Sequence, residues 1–267
     1  LWLAAGLAQA APAPVVVLTV SGAIGPASAD FVTSGLQRAA QQGAQLVVLQ
    51  MDTPGGLDTS MRQIIKGILA SPVPVAGYVA PGGARAASAG TYILYASHFA
   101  AMAPGTNLGA ATPVQIGGPP AGQPEKAKDQ ESGDKTDKNE KSARGKEAGP
   151  MDSMTKKMTH DAAAYIRGLA QMRGRNAEWG ERAVREAVSL SAEEALNLKV
   201  IEYVADDITH LLRQLHGKKV KILGEEQVLD TTETRVERVA PDWRTQVLAM
   251  ITDPNIAYIL LLVGIYG

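Results

Sequence analysis

Between Val15 and Leu69 two kinds of segment alternate, and that alternation constrains the fold more than any other feature of the chain. Val15-Val16-Val17-Leu18-Thr19-Val20 and Leu46-Val47-Val48-Leu49-Gln50-Met51 are near-continuous apolar runs, closed by Ser21-Gly22 and by Asp52-Thr53-Pro54-Gly55-Gly56. Strands that are apolar at almost every position belong to a sheet covered by helices on its faces. The intervening segments have helical spacing: Ala27 to Gln42 through Phe31, Leu36 and Ala39, and Leu57 to Leu69 through Met61, Ile64, Ile65 and Ile68. Val73 to Ala80 then reads as a strand, Ser88 to Ser97 as a helix and Phe99 to Ala103 as a short strand. The expected class is α/β.

The pattern breaks over Ala121 to Pro150. From Glu125 to Glu147, seven acidic and seven basic residues fall in 23 positions, with no apolar side chain larger than alanine. Such a stretch cannot offset its own ordering entropy, and residues 121–150 are expected to be a solvated, disordered loop. Order resumes with a helix from Met154 to about Met172, helical residues Ala177 to Glu186, and a short helix opened by the capping box Ser191-Ala192-Glu193-Glu194. Val200 to Ala205 reads as a strand, and Ile208 to Leu215 as a helix with Asp206 and Asp207 at its positive end. Lys219 to Val239 reads as two or three antiparallel strands around a Gly224-Glu225-Glu226 turn, a small β-extension over residues 217–240. Pro241 to Thr252 reads as a helix.

The ends carry their own signals. Leu1-Trp2-Leu3-Ala4-Ala5-Gly6-Leu7 followed by Ala8-Gln9-Ala10 has the apolar core and small-x-small site of a signal peptide, so residues 1–10 read as its remnant. Ile256 to Gly267 is uncharged and stops about eight residues short of the roughly 20 that a helix needs to cross a bilayer. Residues 241–267 are therefore expected to hold a helix and the start of a truncated transmembrane span, and the chain reads as a fragment. Twenty-six basic against 27 acidic residues, without a basic stripe, argues against a nucleic-acid partner. Without cysteine, thiol catalysis and thiolate metal sites are excluded.

Ser88 stands in Ala86-Ala87-Ser88-Ala89-Gly90, where a strand gives way to a helix. Two readings are open: a serine N-cap in an alanine-rich turn, or a nucleophile whose hydroxyl lies beside the free N–H groups of the helix start. Thr53-Pro54-Gly55-Gly56 follows a buried strand, and its glycines either make a tight turn or let a backbone N–H approach a substrate. In the second case the N–H groups of Gly56 and Ala89 would form an oxyanion hole.

A base is needed as well. Of the four histidines, His98 ends the Ser88 helix about 15 Å along its axis, His210 and His216 lie on a polar-faced helix, and His160 faces outward. A lysine is the alternative, provided it can lose its proton. The apolar stripe Met154, Met158, Ala162, Tyr165, Ile166 and Leu169 puts Lys157 at the buried margin of its helix and Lys156 facing water. Asp161, one turn on, offers Lys157 an ordinary ion pair instead.

Val15 to Asp253 resembles the NfeD family of membrane-bound serine proteases, relatives of ClpP and of signal peptide peptidase A. The likeness rests on Met51-Asp52-Thr53-Pro54-Gly55-Gly56, Ala86-Ala87-Ser88-Ala89-Gly90-Thr91-Tyr92 and Met102-Ala103-Pro104-Gly105-Thr106-Asn107-Leu108-Gly109-Ala110-Ala111. It continues in Ser189-Leu190-Ser191-Ala192-Glu193-Glu194-Ala195 and Ile251-Thr252-Asp253-Pro254-Asn255. The resemblance implies a ClpP/crotonase-like fold of stacked ββα units over residues 15–216. It implies a Ser-Lys dyad of Ser88 and Lys157, with Lys156 the fallback, and oxyanion donors at Gly56 and Ala89. No metal or cofactor is implied. It further implies a serine endopeptidase acting on apolar segments of membrane-associated proteins such as stomatin-like partners. The catalytic domain would be extracytoplasmic, membrane-anchored and self-associating, a dimer or larger. A non-catalytic scaffold for stomatin-like partners and a crotonase-type acyl-CoA enzyme are the rival readings.

Overall fold

The computed structural model describes residues 13–113 and 150–241, the first three of the second stretch in backbone only. The first stretch runs β1 (Val15–Ser21), α1 (Pro26–Gln41), β2 (Leu46–Asp52), α2 (Asp58–Ala70), β3 (Val75–Val79), β4 (Arg85–Ala86), α3 (Ala89–Ala96), β5 (Phe99–Met102) and β6 (Asn107–Gly109). The second runs α4 (Pro150–Arg173), α5 (Ala177–Arg185), β7 (Ser189–Ser191), α6 (Ala192–Asn197), β8 (Tyr203–Val204), α7 (Ile208–Leu215), β9 (Lys219–Ile222), β10 (Glu225–Val228) and β11 (Val236–Val239).

Six strands form one sheet in the order β11-β1-β2-β3-β5-β8, and every pair in it is parallel. Successive residues of β1 and β2 point to opposite faces. Val16, Leu18, Val47 and Leu49 pack among residues of α1, α2 and α3, while Val15, Val17, Leu46 and Val48 pack toward Leu211, Leu212 and Leu215 of α7. Helices on both faces explain why these strands are apolar without alternation, each buried Val or Leu being worth about 1.5–3 kcal/mol.

A second, three-stranded sheet has the order β4-β6-β7. It is tied to the first by a bridge between Thr53 and Ala86. This junction sets Ser88: the serine follows the two-residue β4, not the long β3 that the sequence places directly before it.

The structure corrects four other expectations. Only β9 and β10 form the antiparallel extension, around a turn at Leu223 and Gly224, so Glu225 and Glu226 belong to β10. Val236–Val239 instead returns to the main sheet and pairs in parallel with β1. With no helix between β10 and β11 to mark a crossover, proximity in sequence suggests a meander; the open edge of β1 is what recruits the strand. The Val200 to Ala205 strand shrinks to Tyr203–Val204, although Val200 and Ile201 stay buried. Met154 is 57% exposed, and the buried stripe of α4 starts later, at Ala163, Ile166, Leu169 and Ala170. The signal-peptide remnant, the charged loop apart from Pro150, and the C-terminal helix and span beyond Pro241 lie outside the described residues. Among the described residues no helix is long and apolar enough to cross a membrane.

Candidate functional site

The end of β2 and the start of the Ser88 turn are stitched together by Thr53 N–H to Arg85 O (2.7 Å) and Ala87 N–H to Thr53 O (3.0 Å). Ser88 then takes φ 49°, ψ −115° at the N-cap of α3, and Gly90 N–H closes on Ala87 O at 2.9 Å. That is the first central position of a type II′ turn, a conformation that favours glycine and costs other residues about 1–3 kcal/mol. Although Ser88 sits at the N-cap, its side chain makes no capping hydrogen bond. The hydroxyl is thus not engaged in the one structural task an N-cap serine ordinarily performs. The small residues around it have steric reasons: a Cβ on Gly90 would stand 2.7 Å from Thr53 Cγ2.

The Pro-Gly-Gly turn lies directly against the serine. A Cβ on Gly55, at φ 116°, would fall 2.5 Å from Ser88 Cβ, and one on Gly56 would fall 2.1 Å from Ile24 O. The first glycine therefore makes room for Ser88 itself, and the second for the backbone of Ile24, rather than for an incoming ligand. Ile24 N–H donates to Gly55 O and Leu57 N–H to Ile24 O. Among the described residues, neither the Gly56 N–H nor the Ala89 N–H donates to a backbone carbonyl. Ser88, Gly56 and Ala89 all line one groove of about 830 Å³, whose walls include Ile24, Leu57, Met61, Tyr92, Met158 and Tyr165. A serine whose hydroxyl makes no cap bond and two residues whose N–H groups donate to no backbone carbonyl thus line one largely apolar cleft, the residue types that acyl transfer requires.

The lysines are placed differently. Lys157 and Lys156 are both exposed on α4, and neither lines the groove, whereas Met158, Asp161, Ala162 and Tyr165 do. The stripe reading puts Lys157 too far inward because Met154 does not anchor it. No histidine reaches the groove. His98 accepts the Val75 N–H at Nδ1 (3.1 Å), and burial, with Arg173 and Arg175 nearby, pushes its pKa down to about 3. His160 lies 3.3 Å from Arg185. His210 and His216 do have aspartate neighbours, Asp206 at 3.0 Å and Asp230 at 3.4 Å, on the far side of the sheet with α7.

Sequence reasoning misses the charged cluster in the groove wall. Arg62 donates from Nε to Asp58 (2.9 Å) and from Nη2 to Asp161 (2.7 Å), and its guanidinium carbon lies 4.4 Å from the Tyr165 ring centroid. Burial works against the charge on Arg62, but the Asp58 hydrogen bond and the Asp58 and Asp161 charges outweigh it and hold the guanidinium above its ordinary pKa. The Asp58–Arg62 spacing of four is legible in the sequence; Asp161, on another helix, is not. Burial likewise raises the Tyr92 phenol, which donates to Ala111 O at 3.0 Å in the groove floor.

The opposite end of α3 is held by two arginines. Arg175 donates from Nη1 to Leu94 O (2.9 Å), Tyr95 O (2.9 Å) and Ser97 O (3.0 Å), and its Nε and Nη2 grip both oxygens of Glu202 at 2.7 and 2.8 Å. Arg173 Nε reaches Ala96 O at 2.9 Å. The last carbonyls of the helix that starts at Ser88 are thereby satisfied by cations.

Comparison with known proteins gives the family and the fold. Residues 14–224 match the family model described as NfeD1b, N-terminal domain. The chain is 37% identical over 255 residues to the membrane-bound protease PH1510 of Pyrococcus horikoshii, an alignment covering 95% of this chain and 52% of that protein. It is 36% identical over 116 residues to the membrane protein NfeD1b of Bacillus subtilis, covering 43% of this chain and 26% of the relative. The chain thus spans about half or less of the curated relatives it matches. Among solved structures it resembles 1510-N, a membrane-bound stomatin-specific protease. A lysine-to-alanine variant in complex with a substrate peptide superposes with TM-score 0.73 at 36% identity, covering 91% of this chain and 99% of that one. A serine-to-alanine variant superposes with TM-score 0.71 at 35% identity, covering 87% and 100%. The fold is that of these ClpP-like proteases.

Proposed function

The chain belongs to the family of the NfeD1b N-terminal domain, and on that premise we propose that it is the catalytic domain of a membrane-bound serine protease working through Ser88 and Lys157. One observation carries the reading most: the Ser88 hydroxyl, held in a glycine-like turn and making no cap bond, shares a groove with the undonated N–H groups of Gly56 and Ala89. The relative's serine and lysine variants, the second studied with a substrate peptide, support the pairing of those two residue types.

In this mechanism neutral Lys157 takes the Ser88 hydroxyl proton as Oγ attacks a peptide carbonyl carbon. The carbonyl oxygen becomes the oxyanion and accepts from Gly56 and Ala89 N–H. Lys157 gives its proton to the departing amine as the C–N bond breaks, and water, deprotonated by Lys157, hydrolyses the acyl-serine. Lys157 does not line the groove in this structure, so the mechanism requires its four-carbon stem to turn from the exposed face of α4 toward Ser88. The apolar walls fit an apolar substrate segment, and the stomatin specificity of 1510-N supports a stomatin-like membrane protein as its source. Self-association, an anchor beginning near Pro254 and an extracytoplasmic catalytic domain belong to the same proposal.

The test is cleavage of an apolar fluorogenic peptide by the parent, Ser88→Ala and Lys157→Ala, with circular dichroism to verify folding. Loss of cleavage in both folded variants supports the dyad. A Lys157→Ala enzyme with parental rates removes Lys157 and turns attention to Lys156. A parent inert toward apolar peptides yet able to capture a stomatin-like protein favours the scaffold.

A further inference from the structure

We propose that Arg62 is a positioning residue that keeps Lys157 without a counter-ion by holding Asp161. The inference rests on the reading of Lys157 as the base. On α4, residues 157 and 161 are four apart and neighbours on the helix surface, the arrangement in which a lysine and an aspartate ordinarily pair. Such a pair favours the protonated lysine, which then acts as a base only at higher pH. In this structure Asp161 is instead bonded through Oδ2 to Arg62 Nη2 at 2.7 Å.

Arg62 is itself fixed. Its Nε binds Asp58 one turn earlier on α2 at 2.9 Å, and its guanidinium is stacked over Tyr165 of α4 at 4.4 Å. It therefore spans from the α2 wall of the groove to the α4 wall and brings its positive charge to the flank of the helix that carries Lys157. Several other charged or titratable groups lie on the elements packed around this part of α4, Arg182 among them, paired with Glu186 at 3.0 Å. On α4 itself they are Lys156 and His160, the latter 3.3 Å from Arg185 of α5. On α5, Glu181 is engaged by Arg167 and Arg185. On α3, Tyr92 donates to Ala111 O. On α2, Asp58 is bound to Arg62. Asp161 is the carboxylate at pairing distance in sequence from Lys157, and Arg62 neutralises it.

Opposite signs for two variants test this. Cleavage by the whole chain depends on neutral Lys157, so kcat/KM rises with pH along an acidic limb set by the lysine. Arg62→Met removes a cation and releases Asp161, which favours protonated Lys157 and moves the limb to higher pH by about half to one unit. Asp161→Asn removes the competing carboxylate and leaves Arg62 in place, so the limb moves to lower pH. The double variant returns toward the parent, and Arg62→Lys, which keeps the charge, stays near it. Two single variants moving in the same direction, or an unmoved limb, overturn the proposal, as does Arg62→Lys behaving like Arg62→Met. Lys157→Met in the same series separates the two levels. If it cleaves at the parental rate, the base assignment falls and takes this inference with it; if it is inactive while the limb stays fixed, only the role of Arg62 falls.

Discussion

Replacing Ser88 by alanine and by glycine separates a structural serine from a chemical one without measuring catalysis. If the hydroxyl capped α3, its loss would cost about 1 kcal/mol, the usual penalty for removing a serine N-cap. The structure shows no such bond, so Ser88→Ala is expected to leave stability within about 0.5 kcal/mol of the parent. Ser88→Gly goes further. At φ 49°, ψ −115°, a Cβ costs about 1–3 kcal/mol, and glycine removes that cost while adding about 0.4–1 kcal/mol of unfolded-chain entropy. The net expectation is a gain of about 1 kcal/mol over Ser88→Ala, read as about 2–4 °C in the melting temperature of a domain this size. Urea or thermal unfolding followed by circular dichroism measures both. An alanine variant weakened by a full kcal/mol refutes the claim that the hydroxyl is structurally idle. A glycine variant less stable than the alanine one refutes the claim of strain. The outcome matters for function because strain kept at a residue with no structural duty is what a nucleophile elbow requires.

Three other perturbations follow from the same geometry. Arg175→Met leaves Glu202 without its cation and uncaps two carbonyls of α3 and that of its C-cap Ser97, with the Arg175 side chain only 1% exposed; about 3 kcal/mol or more should be lost, lowering the melting temperature by about 10 °C. Gly55→Ala places a Cβ 2.5 Å from that of Ser88 at φ 116°, so it should destabilise by about 2–4 kcal/mol and displace the serine, abolishing peptide cleavage. His98 is held neutral, with its pKa pushed down to about 3 by burial and by Arg173 and Arg175, whereas the unfolded chain binds that proton near pH 6.5. The stability it supports is complete above pH 6.5 and falls as pH drops toward 3, by about 3 kcal/mol at pH 4. His98→Asn, which preserves an acceptor for the Val75 N–H, should flatten the acid side of a stability-against-pH curve measured by urea unfolding.

Sequence alone carried the strands and helices with strong periodicity, because burial on both faces leaves an unbroken apolar run and burial on one face a helical stripe. It also brought Ser88, Gly56 and Ala89 to one place, since each sits at a break that must occur at a strand's end. It failed where the outcome depended on partners distant in the chain. Nothing local in Val236–Val239 says that it pairs with Val15–Leu18, and nothing near Asp161 says that Arg62 outcompetes Lys157 for it. The reason for Gly55 was also hidden. A glycine in a turn reads as room for a ligand, and only three dimensions show that the room is occupied by Ser88. The exposure of Lys157 is not legible for a simpler reason: a hydrophobic stripe read on a wheel assumes that the helix is packed along its whole length, and α4 is not, as exposed Met154 shows.

The pairing of β1 with β11 has a consequence for biosynthesis. Val15 is registered against Val236, so the outer edge of β1 waits for a partner that is made about 220 residues later. At a synthesis rate of about 5–20 residues per second, the edge stays open for about 10–45 seconds. During that interval the nascent sheet presents a row of unpaired N–H and C=O groups flanked by valines, the surface that recruits strands from other chains. The Ser88 junction is assembled from residues up to Ala110, well before the sheet is closed. Two clocks therefore run on one polypeptide: the Ser88 turn can take shape early on the ribosome, while protection of the β1 edge from edge-to-edge association arrives with β11.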